Sequence, residues 1–160
     1  MPRGIHHSVG VVRDLDESLR FYCDGIGLDV LLDREVDGDW PTLFGAPSRR
    51  MRVAFLGDRN VLDVQSGVLE LLAFPDTDVP AVRPAGPAIA GLFMLSFFVD
   101  VDASLGRLAQ LAMGGTPQRV TQSTPNGPLE IATVRDPDDI LVFLTPGSIT
   151  QRPSARDSNR

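Results

Sequence analysis

Residues 4–27 read GIHHSVGVVRDLDESLRFYCDGIG, and residues 92–115 read LFMLSFFVDVDASLGRLAQLAMGG. In the first stretch a run of strand-forming residues, IHHSVGVV (5–12), gives way to an amphipathic pattern. Leu15, Leu19, Tyr22 and Ile26 fall at i, i+4, i+7 and i+11, which is one face of a helix. Asp14 is placed to cap that helix, Glu17 three residues on completes a capping-box pattern, and Gly25 and Gly27 end it. The second stretch repeats the arrangement. Asp14-x-Asp16-x-Ser18-Leu19 returns as Asp100-x-Asp102-x-Ser104-Leu105, an offset of 86, and the apolar stripe maps onto Val101, Leu105, Leu108 and Ala112.

Working outward, each helix is followed by three candidate strands. In the first half these are LDVLLDREV (28–36), MRVAFLG (51–57) and GVLELLAF (67–74); a loop, DGDWPTLFGAPSRR, carries the only tryptophan, Trp40. In the second half they are TPQRVTQ, GPLEIATV and ILVFLTP. The chain therefore reads as an α+β protein made of two copies of a βαβββ unit. The first module covers 1–74 and the second 92–146. Between them, 75–91 holds prolines at 75, 80, 84 and 87 and reads as an extended linker. The polar end, 147–160, is expected to be disordered.

With 160 residues, 42% of them hydrophobic, the chain suits one compact unit or two small halves sharing a sheet. The net charge is −6 and the only basic cluster is Arg49–Arg50–Arg52, which argues against nucleic acid as a partner. The single cysteine, Cys23, falls in the first helix, where it reads as a small hydrophobe. It permits no disulfide within the chain and fits a reducing cytoplasm. The start, MPRGIHH, lacks the form of a signal peptide. No apolar run reaches the roughly 20 residues that span a bilayer. The longest candidate, IAGLFMLSFFV, reads as a buried strand, so no membrane partner is expected.

A His-bearing first strand, then VVRDLDESLRFY, a Gly-terminated helix, a strand with LELL, a proline-rich linker, a second copy and a final RDPDDILVFL together resemble the vicinal oxygen chelate superfamily, the glyoxalase, bleomycin-resistance and extradiol-dioxygenase group. The resemblance covers about residues 4–146. It implies two modules whose sheets curl into an open barrel around a cavity. It also implies a divalent ion held by residues on the first and last strand of each module. Matched position by position, the first-module ligands fall on His7, seven residues before Asp14, and on Glu70 in VLELL. An imidazole and a carboxylate suit Zn, Ni, Mn or Fe.

The second module departs from that pattern. His7 corresponds to Phe93 by the internal offset, or to Met94 with a register shift of one residue, and the last ligand position holds Phe143. Asp139 and Ile140 also replace the family's common Gly-Asn turn. The resemblance thus leaves either no cofactor or a weakly held divalent metal on His7 and Glu70. Phe93, Met94, Phe143 and Trp40 are then expected at a ligand cavity.

Strand geometry bears on the paired histidines. Neighbours in a strand face opposite sides, so only one of His6 and His7 enters the cavity. The family spacing selects His7, and His6 is expected to face helix or subunit contacts. Glu70 interrupts an apolar run, and a buried carboxylate needs a metal, a cation, His7, or a raised pKa. Glu130 is a candidate stand-in acid and also reads as an outward strand residue; Arg135 and Asp136 read as structural.

Three functional classes remain open. One is acid–base catalysis by His7 and Glu70 on a small, partly apolar metabolite, of isomerase, epimerase, cyclase or lyase type. The second is sequestration of a small molecule in the manner of bleomycin-resistance proteins. The third is a metal-dependent glyoxalase or dioxygenase with an incomplete ligand set. The resemblance also implies a homodimer, with the proline-rich segment long enough to permit exchange of modules.

Overall fold

The structure is a computed structural model that describes residues 6–60, 67–80, 91–124 and 127–146. The expected linker falls partly, at 81–90, and the expected tail wholly, at 147–160, outside the described residues.

The first half runs β1 (His7–Val11), α1 (Leu15–Leu19), β2 (Asp29–Asp37), α2 (Trp40–Phe44), β3 (Arg50–Gly57) and β4 (Val68–Ala73). The second runs β5 (Met94–Phe98), α3 (Val101–Gln110), β6 (Gln118–Thr124), β7 (Gly127–Arg135) and β8 (Leu141–Thr145). Each half forms its own four-stranded sheet, ordered β1-β4-β3-β2 and β5-β8-β7-β6. The opening strand lies parallel to the last strand of its half; the remaining pairs are antiparallel. The helix and the two strands that follow it form the long connection that a parallel pair requires. The repeat is structural: Asp14 accepts the Glu17 N–H and Asp100 accepts the Ala103 N–H, both at 3.0 Å.

Two local features differ from the sequence reading. Beyond Leu19 the first helix continues as a π-helix, Arg20–Ile26, and Gly27 closes it at φ 103° with its N–H on the Tyr22 carbonyl. The segment around Trp40 is a short helix rather than a loop. Pro41 stands in its first turn, where the missing N–H costs nothing, and Gly45 closes it at φ 75°.

Alternation along the strands decides which face of each sheet meets the helices. Leu69 and Leu71 on β4, Ala54 and Leu56 on β3, Val142 and Leu144 on β8, and Ala132 and Val134 on β7 share one core with Phe21, Tyr22, Ile26, Val101 and Leu108. The two helical segments lie against each other in that core, so both modules are folded on one hydrophobic cluster. Polar contacts at the seam are specific. Arg107 donates to the Gly25 and Ile26 carbonyls at 2.9 and 3.0 Å. The Tyr22 hydroxyl donates to Asp136 Oδ2 at 2.7 Å, and Arg13 Nε to Asp138 Oδ1 at 2.7 Å. Asp136 also accepts the Asp138 and Ile140 N–H groups. Burial nevertheless pushes its carboxyl above the ordinary range, and burial beside Asp136 pushes the Tyr22 phenol up as well. The RDPDD turn is thus a clasp between modules. Its Asp139 adopts φ 70°, a conformation Asp tolerates and Gly takes freely.

Gly25 measures how closely the helices meet. A Cβ there would stand 2.3 Å from Leu108 Cδ2, and Leu108 is buried in the shared core. Gly25→Ala is expected to lower stability by about 1–3 kcal/mol, read as a lower urea midpoint with an unchanged slope.

Candidate functional site

The face of each sheet turned away from α1 and α3 carries the other half of the alternation; on the first sheet the α2 residue Trp40 packs over part of it. On the first sheet this open face presents His7, Val9 and Val11 of β1, Glu70 and Leu72 of β4, and Val53 and Phe55 of β3. On the second it presents Met94, Ser96 and Phe98 of β5 and Phe143 of β8. The edge strands β1 and β5 flank a cleft of about 470 Å³ lined by His7, Val9, Leu69, Phe93, Met94 and Ile140, among others. An adjoining hollow of about 320 Å³ takes in His7, Met94, Ser96 and Phe97.

His7 and Glu70 come together at this cleft. His7 Nε2 lies 3.0 Å from Glu70 Oε2, with side-chain exposures of 34% and 12%. Burial raises the Glu70 carboxyl above the ordinary glutamate range, and the neighbouring His7 offsets part of that rise. Phe55, opposite Glu70 on β3, stands 5.9 Å ring to ring from His7 and forms the apolar wall beside the pair. An ionised carboxylate only accepts, so His7 donates through Nε2. Its Nδ1 is then the bare nitrogen, and it meets Nδ1 of His6. The expectation that His6 turns away from His7 is therefore corrected. His6 precedes β1, where strand alternation does not apply, and its ring sits edge-on to that of His7.

The remaining expected residues separate. Strand pairing makes Met94 the counterpart of His7 and Phe143 the counterpart of Glu70, because Met94 faces Leu141 as His7 faces Val68. Phe93 lies just before β5 and lines the cleft. Phe143 is on the open face of β8 without lining the cleft between β1 and β5. Trp40 packs with Val36 on Met51, Val53 and Leu72, further along the open face, and borders a separate depression with Asp39, Thr42 and Leu43. Glu130 bonds the Thr121 hydroxyl and lies on the helix side of β7, in phase with Ala132. The Arg49–Arg50–Arg52 cluster is neutralised by Asp39, Glu35 with Asp76, and Asp33 with Asp16. Cys23 is half-buried with its thiol pushed up to about 11, mainly by burial. Phe55 is the site residue the sequence reading missed; its register with the LELL strand was the available signal.

The donor set does not fit the four-ligand metal centre that the resemblance implies. Two ligands are present, the other two positions hold a soft thioether and a phenyl ring, and no group of three or more His, Cys, Asp or Glu could hold an ion among the described residues. Two outcomes follow. Protein purified without an affinity tag is expected to hold well under one divalent ion per chain by elemental analysis. The double variant Met94→His, Phe143→Glu is expected to gain stoichiometric zinc. For Glu70, carboxyl carbon NMR is expected to show protonation above the ordinary glutamate range, moving higher still in His7→Phe, which keeps the burial and removes the imidazole that offsets it. The sign for stability follows: with its pKa raised in the folded state, the ionised Glu70 disfavours folding above that pKa, and the penalty is relieved as pH falls through it toward the ordinary glutamate value.

Comparison with known proteins agrees with this architecture. The Glyoxalase/Bleomycin resistance protein/Dioxygenase superfamily model matches residues 4–144. The lactoylglutathione lyase-like protein terB of Aspergillus terreus is 41% identical over 144 residues, covering 88% of this chain and 73% of that protein. A glyoxalase family protein from Bacillus cereus superposes with a TM-score of 0.70 at 22% identity, covering 92% of this chain and 97% of its own. The trypanothione-dependent glyoxalase I of Leishmania major gives 0.59 at 23%, covering 91% and 87%. With its paired βαβββ modules and a family match over nearly the whole described region, this chain belongs to the glyoxalase/bleomycin resistance protein/dioxygenase superfamily.

Proposed function

We propose that this protein acts on a small, partly apolar organic metabolite by acid–base chemistry at His7 and Glu70, as an isomerase, epimerase, cyclase or lyase. The observation that carries the proposal is the 3.0 Å contact between His7 and Glu70 beside the cleft. A carboxylate made more basic by burial and steered by an imidazole is suited to taking a proton from carbon next to a carbonyl. The C–H electron pair then moves into the enolate. Ser96, which lines the same space on β5, supplies a hydroxyl donor for its oxygen. Return of the proton to the same or the adjacent carbon completes an epimerisation or isomerisation; loss of a β-substituent instead gives a lyase. The lyase-like designation of the Aspergillus terreus relative supports this class of chemistry. A homodimer covering the exposed open face and a cytoplasmic setting belong to the same proposal.

A second reading has its own support. Val9 and Val11 are 51% and 46% exposed on the open face, and Phe98 is 53% exposed. Such apolar surface suits a protein that holds a hydrophobic ligand without turning it over.

Deuterium uptake from D2O into small cyclic and aryl ketones, followed by NMR, separates the two. Catalysis predicts uptake that falls roughly 10²–10⁴-fold in His7→Ala and in Glu70→Gln, with binding retained. Sequestration predicts no uptake, indifference to those changes, and loss of binding in Phe93→Ser.

A further inference from the structure

All fifteen cationic side chains of this protein are arginines; the sequence has no lysine. Among the described residues nearly all are committed. Arg13, Arg49, Arg50, Arg52, Arg59, Arg119 and Arg135 meet carboxylates, and Arg107 meets backbone carbonyls. Arg20 and Arg34 have no ion pair among the described residues. Arg20 belongs to the π-helix, on the far side of the sheet from the cleft. Arg34 is different. It pairs with Val53 across β2 and β3, so it shares the open face with Leu32, Val36 and Phe55.

The neighbouring acids explain why it is unpaired. Asp33 and Glu35 alternate to the opposite face, where they bind Arg52 and Arg50. The open face of this sheet therefore holds one paired carboxylate, Glu70, and one uncommitted guanidinium, with apolar residues between them. Arg34 is exposed, and on its face Leu32 and Phe55 are only partly buried, so its guanidinium is open to an anion that brings an apolar body with it.

We infer that Arg34 anchors a carboxylate of the ligand, and that the natural ligand is a small organic acid with an apolar or aromatic body. This deepens the reading of the site given above and rests on it: the body lies over Phe55 and the reacting carbon reaches His7 and Glu70. Charge complementarity cannot come from the protein as a whole, whose net charge is −6. Any preference for an anion must therefore be local.

The test is calorimetric titration with phenylpyruvate and with its uncharged methyl ester. Wild type is expected to bind the acid roughly tenfold or more tightly than the ester, the value of a charge-assisted contact. Arg34→Gln is expected to erase that difference and leave the ester unchanged. Arg20→Gln is expected to preserve it. Equal binding of the two probes, a preference that survives in Arg34→Gln, or no binding of either at millimolar concentration overturns the assignment. Failure of the acid–base reading is separately visible: the acid preference would then persist while deuterium uptake is indifferent to Glu70→Gln.

Discussion

Burying a carboxylate on an apolar strand is unfavourable by several kcal/mol unless something compensates it, on the order of magnitude found for desolvated ions in proteins. Glu70 is in that position, between Leu69 and Leu71 whose side chains point into the shared core. Its compensation is His7, which the parallel pairing of β1 with β4 brings within hydrogen-bonding distance. The partial character of that compensation is what gives the site its chemistry. A fully satisfied carboxylate would be a weak base; one that is buried and held by a single imidazole keeps an affinity for protons. Phe55 sustains this by keeping one side of the pair apolar.

For the cleft beside that pair to keep its shape, β1 must stay fixed relative to β5 of the second module. The helices do this from behind. Tyr22, Phe21 and Ile26 of the first module pack with Val101 and Leu108 of the second, and the RDPDD turn clasps Tyr22 and Arg13. Of the two residues read as structural in that turn, Asp136 joins the halves through Tyr22, whereas Arg135 bonds Asp139 within the turn; the second link is Asp138 to Arg13. One sheet face is therefore spent on cohesion, and the other, with exposed Val9 and Phe98, is available to a ligand.

Much of this was legible in the sequence because it rests on period and capping. Asp14 and Asp100 announced both helices and the repeat. The LELL strand located Glu70 from a polar residue in an apolar run. The counterpart of His7 was ambiguous for a specific reason. Two residues separate β1 from its helix cap and only Val99 separates β5 from Asp100, so the strands are offset by 87 where the helices are offset by 86. That one-residue difference selects Met94 over Phe93. The position of His6 was not legible, since it depends on where β1 begins. Trp40 was misplaced because a five-residue helix with proline in its first turn has too little sequence to show a period. Arg34 was readable in principle, from its phase opposite to Asp33 and Glu35, but charged runs at strand ends look alike until the partner strand is known.

The central claim is that His7 and Glu70 are bonded to each other, without an intervening ion, in the resting protein. With only two histidines, long-range 1H–15N correlation of the imidazoles reads this directly. The account predicts that His7 is held as the Nε2-protonated tautomer at neutral pH, that Glu70→Gln perturbs it, and that a chelator leaves its signals unchanged. A His7 resonance that shifts when chelator is added, or one that averages freely between tautomers and ignores Glu70→Gln, would contradict it.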